Sequence, residues 1–99
     1  MRKITEEAIK AFMNNKRFKK KNTEVYKGEF TTLLILFGNI IAYHHQNSGD
    51  IEITTCGWKS RTTVERLNGI PGVHVRKFKN ELYLDNRKWD GKLIKIQQV

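Results

Sequence analysis

With 99 residues, 38% of them apolar, the chain has room for one hydrophobic core, burying roughly 60 to 70% of its unfolded surface, and not for two. A lone cysteine, Cys56, excludes an internal disulfide, residues 1–6 lack the apolar region of a signal peptide, and the longest apolar run is interrupted by Gly38-Asn39, well short of the ~20 residues that span a bilayer; a single-domain protein of the reducing cytoplasm, with no membrane partner, is expected. The formal charge of +9 is uneven, with nine Lys and Arg against three acids up to Gly28, none against three from Glu29 to Gly57, and ten against four from Trp58 onward, so the middle third is expected to build the core while the flanks attract polyanions.

In chain order, Thr5 is a suitable N-cap, Glu6 and Glu7 complement the helix dipole in the first turn, and Ile4 and Ile9 are spaced as a hydrophobic staple. Ala8, Ile9, Phe12 and Met13 then form one apolar stripe, which predicts a helix over residues 5–14 with Asn14-Asn15 as its stop. Lys16, Arg17, Phe18, Lys19, Lys20 and Lys21 follow, five cations around one aromatic residue. Their composition predicts an unstructured segment over residues 16–22.

Short β-type segments come next, over residues 24–27, 31–37, 40–46 and 51–56, separated by turn residues at Gly28, Gly38-Asn39 and residues 47–50. An antiparallel meander follows from that spacing. Its middle strands are apolar on both faces, so a helix is expected to cover one side. Thr62-Thr63-Val64-Glu65 matches a capping box and opens a short helix through Arg66-Leu67, closed by Asn68-Gly69 in the left-handed conformation. Beyond Pro71-Gly72, alternation predicts a strand over residues 73–78, a turn at Lys79-Asn80, a strand over residues 81–84, and, after Asp85-Asn86 and Asp90-Gly91, a last strand over residues 92–96. The fold class is α+β: an antiparallel sheet of five or six strands, meander plus hairpin, with one N-terminal helix and one short middle helix. Phe12, Leu34, Trp58 and Leu67 are expected to share its core.

The residues that carry chemistry are few. His44 and His45 are neighbours on a strand and so point to opposite faces, which argues against a shared metal. Cys56, ending a strand beside Gly57-Trp58, has nothing near it in sequence to activate a thiolate and reads as a small core residue. Asp50, Asp85 and Asp90 lie in turns, where aspartate bonds nearby backbone. Paired catalytic carboxylates, glycine-rich phosphate loops and nucleophile elbows are missing from the sequence, and neither an enzyme nor a cofactor is expected.

Two sets of cations remain. The cluster from Lys16 to Lys21 is either a flexible arm lying along phosphates, with Phe18 stacked on a base, or a solvated segment whose Phe18 tucks into the core. The second set comprises Arg61 and Arg66 around the short helix, Arg76, Lys77 and Lys79 around a hairpin turn, and Arg87 and Lys88 beside Trp89. His74 and Arg76 share a strand face, which suggests a shallow basic surface.

Residues 22–25, Gly38-Asn39-Ile40-Ile41-Ala42, Gly57-Trp58 and, above all, residues 62–70 with Gly72-Val73 give the chain a further reading: it resembles a group of small proteins encoded by bacteriophages and prophages. Lys19-Lys20-Lys21 stands outside that pattern. The resemblance implies a phage origin and action in the cytoplasm of a bacterial host, and it carries over no catalytic residues. The expected function is that of a non-enzymatic accessory protein binding nucleic acid, DNA or RNA, through its basic surfaces. The alternative is an inhibitor, anti-CRISPR-like, of a host defence or transcription complex, by direct contact with that nucleoprotein assembly.

Overall fold

The first helix, α1 (Lys3–Met13), exists because Thr5, Ala8, Ile9 and Phe12 recur at helical spacing and are all buried. It starts three residues earlier than its capping pattern suggests: Arg2, not Thr5, takes the N-cap position, without a side-chain bond. Thr5 is therefore an interior residue, its hydroxyl turned to the second helix. The end matches the sequence. Asn15 takes a left-handed φ of 55°, and the Lys16 and Asn15 amides return to the carbonyls of Ala11 and Phe12 at 2.9 and 3.4 Å, the two bonds of a Schellman close.

In the computed structural model, which describes residues 2–96, the strands are β1 (Phe18–Lys20), β2 (Thr23–Lys27), β3 (Thr31–Leu36), β4 (Asn39–His45), β5 (Ile51–Ile53), β6 (Val75–Phe78), β7 (Glu81–Leu84), β8 (Arg87–Trp89) and β9 (Ile94–Ile96), with helix α2 (Arg61–Leu67) between β5 and β6. An antiparallel six-stranded sheet runs in the order β1-β2-β3-β4-β5-β9, and β6-β7-β8 form a separate antiparallel sheet of three. The α+β class and both helices are as expected. The last strand, however, leaves the second hairpin and pairs with β5, setting Ile96 opposite Ile51.

Three hairpins turn on two-residue loops with positive φ at both positions: Phe37-Gly38, Lys79-Asn80 and Asp85-Asn86. That geometry suits the twist of paired strands. Asn, Asp and Gly adopt it readily, whereas Phe37 and Lys79 do so against their preference.

Across the large sheet, register places Val25, Leu34, Ala42 and Ile53 in one row and Thr32, His44, Ile51 and Ile96 in another. These residues are buried, and α1 covers their face. His44 faces the helix, with its Nδ1 3.1 Å from the Phe12 carbonyl oxygen. His45 faces the other way and pairs with Glu52 at 2.6 Å. The two histidines thus diverge as strand geometry requires.

Several expectations about α2 and its surroundings are corrected. Ser60, two residues before the capping box, is the N-cap, its Oγ accepting from the Thr63 amide at 3.1 Å. Glu65 is thereby released from capping. Asn68 and Gly69 do not close the helix through a left-handed residue; Asn68 has φ −68°, and its side chain exchanges bonds of 2.8 and 2.7 Å with the backbone of Val75, fixing where β6 begins. Gly69 is needed for closeness. A Cβ there would lie 2.7 Å from Thr5 Cγ2 and 2.8 Å from Ile9 Cγ1.

Trp58 is not in the core. Cys56 and Gly57 both take positive φ, and the Trp58 amide closes the turn on the Thr55 carbonyl at 2.9 Å, leaving Trp58 60% exposed. Cys56 is exposed as well. The buried tryptophan is Trp89, whose indole donates to the Lys92 carbonyl at 3.0 Å.

Arg66 is the largest fully buried side chain, 1% exposed. Its Nε donates to Thr23 Oγ1 of β2 at 3.1 Å, and its Nη1 donates to Thr5 Oγ1 of α1 at 2.7 Å and to the carboxylate of Glu65. The Thr5 hydroxyl donates to the same carboxylate, and the Arg2 amide reaches it at 3.4 Å. Burial pushes the Glu65 carboxyl upward, but hydrogen bonds from Thr5, Arg2 and Arg66, together with the Arg66 charge, outweigh it and hold the group below its ordinary 4.5.

Two predictions follow from this packing. Leu67 is fully buried, so Leu67→Ala should cost ~2 to 5 kcal/mol in denaturant unfolding, and a loss under about half a kcal/mol would show that α2 does not dock. A carboxyl with a lower pKa folded than unfolded adds stability that is complete above the unfolded value and lost as pH falls through the folded one. Stability should therefore fall below about pH 4.5 through Glu65, and Glu65→Gln should show a smaller fall over that interval. Identical acid profiles for parent and variant would contradict the network.

Candidate nucleic-acid interface

The first turn of α2 and the strand β6 are brought together by the Asn68–Val75 bonds, and an open cleft of about 730 Å³ lies between them. Arg61 and Val64, one helical turn apart, line one wall; Val75, Arg76, Lys77, Lys79 and Asn80 complete it. The lining holds four cations and no acid. Among the described residues none of the four forms an ion pair. Lys77 Nζ instead donates to the Lys59 carbonyl at 2.8 Å, tying the hairpin to the segment that enters α2.

The outer face of the small sheet continues this surface. Register sets Arg76, Tyr83 and Lys88 in one cross-strand row, with Phe78 beside Arg76 on the same face. The Arg76 guanidinium lies 5.0 Å from the Tyr83 ring centre and 6.0 Å from that of Phe78, and Lys79 Nζ lies 5.5 Å from Phe78. Phe78 is thus held between two cations while staying 52% exposed. At the rim, Lys88 and Glu81 pair at 2.9 Å. Their mutual hydrogen bond and charge lower the Glu81 carboxyl and raise the Lys88 ammonium, so this pair contributes little net attraction for an anion.

The residues singled out from sequence are therefore divided. Arg61, Arg76, Lys77 and Lys79 converge on one cleft. Arg87 and Lys88 line a different one, with Asp85, Trp89 and Lys95. Arg66 is 1% exposed, with bonds to Thr5, Thr23 and Glu65, and borders only the smaller cleft beside Arg2 and Lys20. Two residues that sequence reasoning passed over, Phe78 and Tyr83, belong to the surface; period-2 alternation from Arg76 to Phe78 was the available signal, and Tyr83 needed the register.

The cluster from Lys16 to Lys21 is not a flexible arm. Phe18, Lys19 and Lys20 form β1, the edge of the large sheet, paired with β2. Phe18 is half-buried against the core. Lys20 pairs with Glu7 at 3.5 Å, Lys19 stands opposite Glu24, and the Arg17 guanidinium lies 5.3 Å over the Tyr26 ring. Lysines on an exposed edge strand block pairing with another chain, which accounts for most of this cluster without a ligand. Lys20 and Lys21 also join Arg2 and Lys3 around a smaller cleft of about 430 Å³.

Among the described residues, no group of three or more His, Cys, Asp or Glu is placed to hold a metal ion, and no helix is long and apolar enough to cross a membrane. A family model described as Kyanoviridae Gp96 protein matches residues 1–95. No curated protein and no solved structure matches the chain.

Proposed function

The chain belongs to the Kyanoviridae Gp96 protein family, a family of phage proteins, and from that premise we propose that it is a non-enzymatic accessory protein that binds nucleic acid in the host cell, seating phosphates in the cleft between α2 and β6. The observation that carries this reading is the gathering of Arg61, Arg76, Lys77 and Lys79 in one acid-free cleft, none of them in an ion pair among the described residues. Exposed cations within about 8 Å of one another repel at physiological ionic strength unless a counter-charge joins them. A phosphate backbone supplies that counter-charge at regular spacing and releases its own condensed ions on contact. Phe78 and Tyr83 beside the cleft add aromatic surface suited to bases or sugars.

Neutralising four phosphates gives a slope of log affinity against log salt of about −3.6 on duplex DNA and about −2.8 on a single strand. Affinity should then fall roughly 150-fold and roughly 50-fold, respectively, between about 50 and 200 mM salt. Replacing Arg61, Arg76, Lys77 and Lys79 by serine should flatten the slope while circular dichroism stays native, and the same change at Lys16, Lys19 and Lys21 should leave most of it. Absence of binding at about 50 mM salt, or an unchanged slope in the four-serine variant, would reject the proposal. Capture of an acidic protein in place of nucleic acid would favour host-complex inhibition.

A further inference from the structure

On the other side of the first turn of α2 lies a second, apolar cleft of about 450 Å³, within the roughly 300 to 1,000 Å³ typical of small-ligand sites. Buried Leu36 and Ile41 form its floor, Phe37 and Trp58 stand at its walls, and Ser60 and Thr63 lie at its edge. Both aromatic rings are open to solvent, Phe37 at 65% and Trp58 at 60%. Phe37 also holds a φ of +50° in its hairpin loop, where asparagine or glycine would sit at less cost. A bulky side chain kept in a disfavoured backbone conformation, with its ring turned to water, gains nothing for folding.

Only the first turn of α2 separates the two clefts. Ser60 and Thr63 border the apolar one, whereas Arg61 and Val64 border the basic one. Trp58 is joined through Lys59 to Lys77, whose Nζ holds the Lys59 carbonyl at 2.8 Å. A ligand that follows the cations therefore arrives at the aromatic pair.

Resting on the nucleic-acid reading, we infer that the ligand is single-stranded, with one unpaired base entering the apolar cleft against Phe37 and Trp58 while neighbouring phosphates lie along Arg61, Arg76, Lys77 and Lys79. An aromatic heterocycle has two flat faces for the rings and little polarity on them to desolvate against Leu36 and Ile41, and its phosphates match the adjoining charge. A duplex keeps its bases stacked and paired and must give one up to enter. A single strand has them free.

Trp58 reports on the site directly, because the other tryptophan, Trp89, is only 7% exposed. Titration with a short oligothymidine strand at about 50 mM salt should quench tryptophan fluorescence, while a duplex of equal length should quench little and bind more weakly. Trp58→Ala should weaken single-strand binding roughly five- to a hundredfold and leave duplex binding unchanged. Phe37→Asn, which relieves the turn, should raise the melting temperature and still weaken single-strand binding. Full single-strand affinity in both variants, or a preference for duplex in the parent, would overturn the inference while the nucleic-acid reading stands. If neither strand nor duplex binds at about 50 mM salt, both fall together.

Discussion

The arrangement depends on one buried cation. Arg66 projects from α2 into the space between α1 and the large sheet, and its hydrogen bonds to Thr5, Thr23 and Glu65 join three elements that are distant in sequence. A charge so deeply buried is tolerated only when its donors are met. Glu65, its neighbour in the chain, supplies the balancing carboxylate and is itself held by Thr5 and by the Arg2 amide. At seven residues α2 is too short to persist alone. Docking through Arg66 and Leu67, with Gly69 allowing close approach to Thr5 and Ile9, sets the helix in place. Once docked, its first turn presents Arg61 to one cleft and Ser60 and Thr63 to the other.

Charge is distributed to match. The central strands β3, β4 and β5 carry no lysine or arginine, so they pack α1 on one face without desolvating a cation. The cations lie on the flanks, and the fold treats its two groups differently. Those of β1 guard an edge and are partly met by Glu7 and Glu24, and Arg17 just before it lies over Tyr26. Those of the cleft between α2 and β6 meet aromatic rings and the Lys59 carbonyl but form no ion pair with a carboxylate among the described residues. Density along the chain pointed to the first group; uncompensated charge in space points to the second.

Much of the fold was legible because it rests on local patterns. The apolar stripe of α1, its stop at Asn14-Asn15 and the Lys79-Asn80 turn each act over a few residues and appear where the pattern placed them, whereas the hairpin expected at Gly38-Asn39 turns one residue earlier, on Phe37-Gly38. The strand at residues 18–20 was hidden because edge lysines, which prevent misassembly, have the composition of a disordered segment. Arg66 was hidden for a different reason. Nothing local separates it from Arg61, five residues earlier; only the approach of Thr5 and Thr23, from 61 and 43 residues away, makes one of them structural. The exchange of roles between Trp58 and Trp89 likewise turns on tertiary context: positive φ at Cys56 and Gly57 swings the first outward, and the second finds a carbonyl at Lys92.

The central claim is that polyanion recognition lies around the first turn of α2 and not along β1. Backbone amide shifts recorded by NMR during titration with a short oligothymidine strand test it residue by residue. Perturbations should gather at Phe37, over residues 58–61 and over residues 75–80, with residues 16–21 left in place. Shifts concentrated at Lys16 to Lys21, with the α2 turn silent, would contradict the account.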